Sequence, residues 1–376
     1  SAWTVQELIS SEKKFMHDKV EEVGYSHLLP QQACFAREYK PWLAMRIMEE
    51  LGISERDHVV LKLCNKTRAA GVMVVPVHDL DRKLRDLLTP PRNMDAWFMD
   101  KTKALAQSNN TGLQPGQLEE NTRHWWSNES PVFLAERMCS SLRCMKDGKG
   151  YDGTLRVGFA LRPRGENLDV EWLGSYWKLP KRPDSQKEAR LQECVISAAR
   201  TSGTSHVDPA HCSEVYAALG DLLPRLFTAR EPSPSSLEDR HPSQLALAAY
   251  FTARFGAAKQ QRINSVKALL SQAESVLMDA RDGQAKLCTQ SFVERWRSIV
   301  VSKEGGKDFD PQNEMHLKKS LELMPSNANT LYIKGVKMWQ KKQFEEAIDM
   351  FHRSLVLDPD FKAPYVYLGV CHLQLD

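Results

Sequence analysis

Shifted by 34 residues, the end of this chain matches itself. Ser320-Leu-Glu-Leu-Met-Pro325 lies over Ser354-Leu-Val-Leu-Asp-Pro359, and at the same offset Leu331 meets Tyr365, Gly335 meets Gly369 and Val336 meets Val370. A period of this length describes a pair of helices that cannot bury its apolar face alone and must stack on its neighbours. The aligned residues suit that unit. A glycine lets two helices approach, and a proline, lacking an N–H, stops the second helix.

These residues resemble the tetratricopeptide repeat family. Leu331 sits where a large apolar residue is usual, and Gly335 is the small residue of the first helix. Ala347 and Phe351 occupy the small and aromatic positions of the second helix, and Pro359 closes the repeat. Met338 stands in place of the usual Tyr and Ser354 in place of the usual Ala, changes of packing rather than of geometry. The resemblance covers one complete repeat at 328–361, the start of the next at 362–376, and a preceding second helix near 311–323.

The resemblance implies antiparallel helical pairs and a protein-binding role, with a concave groove lined by the first helix of each pair. The residues it nominates are Leu331, Tyr332, Gly335, Val336, Tyr365, Val366, Gly369 and Val370. Co-chaperone members of the family clamp a C-terminal carboxylate with Lys and Asn on these helices. Here the corresponding positions are Tyr332, Val336, Val366 and Val370, and apolar side chains do not hold a carboxylate by charge-assisted hydrogen bonds. The terminal helix, 362–376, is expected to need cover from outside its own repeat, because Tyr365, Tyr367, Leu368, Val370 and two further leucines leave it apolar on several sides.

Upstream, the texture predicts an α+β module over 1–180. Helices are expected at 4–23 and 31–52, strands at His58–Cys64 and Gly71–Val77, and helices at 79–88, 93–107 and 131–145. A hairpin of Thr154–Leu161 and Leu168–Leu173 follows, joined by the Pro- and Gly-containing Arg162–Asn167. From 181 to 305 the pattern is helical, with segments at 186–201, 212–228, 243–261, 263–281 and 290–302 and no convincing strand. A Pro/Ser linker lies near 230–243, and the tetratricopeptide-like repeats occupy 306–376. The fold class is therefore an α+β N-terminal module, a mostly α-helical region and terminal helical hairpins.

Composition narrows the function classes. With 51 Lys+Arg against 48 Asp+Glu the formal net charge is +3, without the basic excess of a dedicated nucleic-acid binder. No apolar run approaches the roughly 18–20 residues of a membrane span. Eight cysteines without any C-x-x-C pair point to reduced thiols inside a cell rather than a disulfide scaffold or zinc ribbon. The sequons at Asn65, Asn109 and Asn128 are then chance matches. The first residue is Ser1 rather than Met, which fits a removed organellar presequence and equally a shortened chain, and a mitochondrial matrix address is the expectation.

Four features are candidates for chemistry. His206-Val-Asp-Pro-Ala-His-Cys212 gathers His206, Asp208, His211 and Cys212, types that ligate zinc when three or four converge. Asp208 before Pro209 equally reads as a helix N-cap, and that reading is preferred. The aromatic groups His124-Trp-Trp126 and Trp172…Tyr176-Trp177 can stack bases when interleaved with basic residues, but acidic neighbours around Trp172 favour core packing. The basic stretch Lys178–Arg190 suits RNA phosphate or an acidic protein, with a solvated linker as the commoner explanation. Gly148–Thr154 lacks the spacing of a phosphate loop. Catalytic fingerprints are missing, and no cofactor is expected.

The expected function is a non-enzymatic interaction scaffold, assembly factor or accessory subunit of a large complex, with other protein subunits as partners. The alternatives are a diverged enzyme whose helical repeats recruit a protein substrate, and an RNA-associated component of a ribonucleoprotein.

Overall fold

The structure, a computed structural model, describes residues 12–66, 69–91, 93–99, 120–165, 167–195, 203–228, 249–250, 252–254, 263–280, 282–303, 311–359 and 361–375. An N-terminal α/β region with antiparallel pairing is followed by a mostly helical C-terminal region. Two compact units form. One comprises 1–34, 44–80 and 134–232, the other 35–43, 81–133 and 233–376. The units thus cross the boundary expected near 180, because residues 81–133 associate with the C-terminal helices. The boundary between 232 and 233 falls in the Pro/Ser stretch, which lies outside the described residues.

Helix α1 (Lys13–Glu22) lies in the first unit, and a four-stranded sheet has the order β1-β4-β2-β3, where β1 is Gln32–Ala36, β2 His58–Leu63, β3 Met73–Pro76 and β4 Val132–Arg137. Strands β2 and β3 belong to the first unit, and the unit bounds fall within β1 and β4. Alternation in β2 buries Val59, Leu61 and Leu63 completely. The helix expected at 31–52 is corrected to β1 and α2 (Leu43–Leu51). Pro41 disfavours a helix running through it, and pairing with β4 claims the residues before it. The helix expected at 131–145 is also corrected. Val132–Ala135 is buried throughout, as befits β4 between two neighbours, and Arg143–Lys146 is strand β5. Short apolar runs do not distinguish a buried strand from a buried helix.

β5 pairs with β6 (Lys149–Asp152) through a two-residue turn, Asp147-Gly148, in which both residues have positive φ. That mirror-image turn matches the strand twist and explains the glycine. β7 (Thr154–Arg164) and β8 (Asn167–Lys178) then form a long ribbon, extending past the expected hairpin at both ends. Its register slips at Gly158/Phe159, opposite Gly174 at φ +122°, a bulge that needs glycine. Beyond the ribbon come α5 (Lys187–Val195), β9 (Thr204–Ser205) and α6 (Pro209–Thr228). The two-residue β9, paired with Trp177 and Lys178, corrects the expectation that no strand follows 178.

The second unit holds helices α3 (Leu80–Leu88) and α4 (Glu120–Trp126) and the C-terminal helices α7 (Ile263–Met278), α8 (Gln284–Lys303), α9 (Pro311–Leu323), α10 (Ala328–Gln340), α11 (Phe344–Leu357) and α12 (Lys362–Leu375). The stripe Val266, Leu270, Ala273, Leu277 of α7 packs on Phe292, Val293 and Trp296 of α8. The His124-Trp-Trp126 cluster is core: Trp125 is fully buried edge-on to Phe133, and Trp126 donates Nε1–H to the Asp86 carbonyl at 3.1 Å. Residues 94–99 and the described residues of 249–254 are helical, and the rest of the helices expected at 93–107 and 243–261 lie outside the described residues.

Candidate interaction surface

α10 begins where Asn327 accepts the Thr330 backbone N–H at 3.0 Å, a side-chain N-cap. It turns into α11 through Lys342 at φ +62° and packs against it. Gly335 makes that contact close. A Cβ placed on it would lie 2.6 Å from Phe351 Cε1. The serines at equivalent repeat positions both tie helices together. Ser354 Oγ donates to the Ala328 carbonyl at 2.9 Å, while Ser320 Oγ lies 3.0 Å from Thr330 Oγ1 and 2.9 Å from Ser291 Oγ. Ser354 therefore performs a bond that alanine would not.

The eight nominated residues separate into two groups. Leu331 and Gly335 are buried, Leu331 among Met94, Phe98, Met350 and Leu357, so both act by packing rather than by touching a partner. Tyr332 and Val336 are half-buried. Tyr332 meets Phe361 edge-on at 4.9 Å and Tyr367 at 5.9 Å, and burial followed by the Tyr367 phenol pushes its hydroxyl pKa up. On α12, Tyr365 and Val366 stand out from the surface, the latter 67% exposed. Gly369 faces open space, and Val370 is half-buried. Sequence reading did not nominate Leu373, which is 76% exposed and continues the Val366/Gly369 spacing along the same helix face. From Ala363 to Leu375 no Lys, Arg, Asp or Glu interrupts this face.

The loop before α6 is a helix cap. Asp208 Oδ1 accepts the Ala210 N–H at 2.8 Å with Pro209 opening the helix, and no three of His206, Asp208, His211 and Cys212 bring ligand atoms within 4.8 Å of one another. Asp208→Ala is expected to cost about 1 kcal/mol of stability, the usual loss for a cap. Chemical denaturation measures it, and an unchanged midpoint would contradict the cap. Among the described residues the group that does converge is His17, Asp18 and Glu21 on α1, where Lys14 already pairs with Asp18.

Two residues of the basic stretch that begins at the end of β8 are paired. Arg182 and Lys181 both engage Glu193, and the Arg182 hydrogen bond, aided by Lys181, holds that carboxyl at about 2. The aromatic cluster of the ribbon divides between its faces. Trp177 is buried and Trp172 stacks on Tyr216 of α6 at 4.3 Å, whereas Tyr176 is exposed. Among the described residues, no helix is long and apolar enough to cross a membrane. Compared with known proteins, the chain matches no family model and no curated protein.

Proposed function

We propose that this chain is a protein-interaction scaffold, an assembly factor or accessory subunit of a larger complex, that binds partners through tetratricopeptide-like helical pairs at its C-terminus. The observation that carries the reading is the outward face of α12. Val366 and Leu373 project one helical face apart with Gly369 between them, on a helix whose opposite side is anchored by the buried Leu368 and Cys371. An ordered helix that leaves large apolar residues in water is a surface suited to protein contact. The 34-residue self-match and the Gly335–Phe351 contact support the repeat assignment. All eight cysteines as free thiols support a reducing compartment.

The test is affinity purification of the whole chain beside Val366→Lys/Leu373→Lys, both sites being exposed so that the fold survives. A partner present at stoichiometric level with the parent is expected to fall at least about tenfold with the variant, since burying a lysine in an apolar contact is strongly unfavourable. An unchanged set of partners, with unchanged thermal unfolding, would overturn the reading.

A further inference from the structure

The β7–β8 ribbon has two unlike faces. Its inner side packs on α6 through Phe159 on Phe227, Trp172 on Tyr216 and a 2.9 Å hydrogen bond between Ser175 and Tyr216. Strand alternation sends Arg156, Gly158, Tyr176 and Lys178 to the other side. There Tyr176 is 46% exposed and Leu173, at the bulge, 65%.

Three features of this outer face point to a ligand. First, Arg156 sits across from Tyr176 and one step from Lys178, and among the described residues neither cation has a carboxylate partner. Farther along, Arg162 pairs with Glu171 at 2.5 Å and Arg164 with Asp169 at 3.3 Å. Arg156 and Lys178 are diagonal cross-strand neighbours, within reach of long side chains, so one anionic chain can engage both. Burial first and the Arg156 charge second lower the Lys178 pKa. Second, Tyr176 is a large aromatic ring left in water beside those cations. Third, Gly158 is a glycine at the bulge. A Cβ there would make ordinary 3.5 Å contacts with the Gly174 carbonyl and Leu173 Cβ, and its φ is not in the left-handed region. With Gly174 paired opposite, it leaves a patch of bare backbone next to Tyr176. The bulge accounts for glycine locally, and the same open backbone also admits the close approach of a ligand.

We propose that the outer face of the β7–β8 ribbon binds single-stranded nucleic acid, with Tyr176 stacking on a base over the Gly158/Gly174 floor and Arg156 and Lys178 holding phosphates. Unpaired cations call for an anion, and the exposed ring on a flat floor calls for a planar group. A nucleotide chain supplies both in alternation. An acidic peptide supplies the charge alone. Two apolar residues, Leu173 and Tyr176, are too small an apolar surface to anchor a membrane. The surface uses no residue of α12, so it stands or falls independently of the scaffold reading.

The experiment is fluorescence anisotropy of the full chain with labelled oligo(U) and oligo(dT) of twenty nucleotides, over a salt series. Low-salt binding is expected. Tyr176→Ala should weaken it about tenfold or more, as loss of a stacked base does. Arg156→Gln/Lys178→Gln should lower the slope of log affinity against log salt by about 1.4, the share of two phosphates on a single strand. Gly158→Ala fits the fold and should weaken binding by raising the floor, which keeps the test decisive if Tyr176→Ala destabilises the ribbon. Lys181→Gln, already paired with Glu193, should bind like the parent. Absence of binding at 50 mM salt would overturn the proposal. So would parental binding by all three ribbon variants. Sedimentation with vesicles of 30% phosphatidylserine, lost in Tyr176→Ala and without oligonucleotide binding, would assign the face to membranes instead and overturn it equally.

Discussion

Glu129→Ala is expected to destabilise the C-terminal unit by about 3–5 kcal/mol, the usual consequence of removing one partner of a buried ion pair. Glu129 and Arg295 are both more than nine-tenths buried and meet through two parallel hydrogen bonds of 2.7 and 2.9 Å. Asn327 donates to the same carboxylate at 2.9 Å and Asn329 at 3.3 Å. Without Glu129, a guanidinium resting over the Phe292 and Trp296 rings and the Asn329 amide lose this acceptor at once, and Asn327 is left with Ser291 Oγ at 3.2 Å. Replacing both ends, Glu129→Ala with Arg295→Met, removes the orphaned charge and should recover part of the loss. Urea titrations of the parent, the single and the double variant decide this. A single variant no less stable than the parent, or a double variant as damaged as the sum of its parts, would show that the pair is not coupled as the geometry indicates.

That network marks where sequence stops being informative. Arg295 lies 166 positions from Glu129 and Asn327 lies 198, and nothing local in Asn128-Glu-Ser130 announces a partner so distant. The misread strands share the cause. Gln32–Ala36 and Val132–Arg137 carry no strong local preference, and pairing with remote strands settled their state. What was legible was local. The apolar stripe of α7, Asp208 before Pro209, and the Gly335, Phe351 and Pro359 spacing each act within a few turns of chain. The candidate surfaces were half-legible. Trp172, Tyr176 and Trp177 were visible as a cluster, but only the bulge at Gly174, which shifts the alternation, determines that Tyr176 faces water while Trp172 does not. Leu373 was legible only as one of two terminal leucines in need of cover, and the helix register is what places it on the exposed face of Val366.

Gly335 and Gly369, aligned by the 34-residue offset, are expected to respond in opposite directions to the same substitution. A Cβ on Gly335 would lie 2.6 Å from Phe351 Cε1 and 2.8 Å from Cδ1, closer than real carbon contacts allow. The ring cannot step aside, because Phe351 is fully buried and packed between Tyr332 at 6.1 Å and Tyr367 at 5.5 Å. Gly335→Ala should therefore cost about 1–3 kcal/mol, the range for an overpacked core, with Gly335→Leu worse still. Gly369 lies within α12 and has nothing within 4 Å of the added carbon. Alanine there relieves the entropy that glycine loses in a helix, so Gly369→Ala should stabilise the chain by up to about 1 kcal/mol. Its effect on partner binding should run the other way, since the added methyl stands between Val366 and Leu373 on the face assigned to contact. Urea unfolding separates the two glycines. If both alanine variants shift the midpoint in the same direction by similar amounts, the close α10–α11 packing on which the repeat assignment rests is wrong.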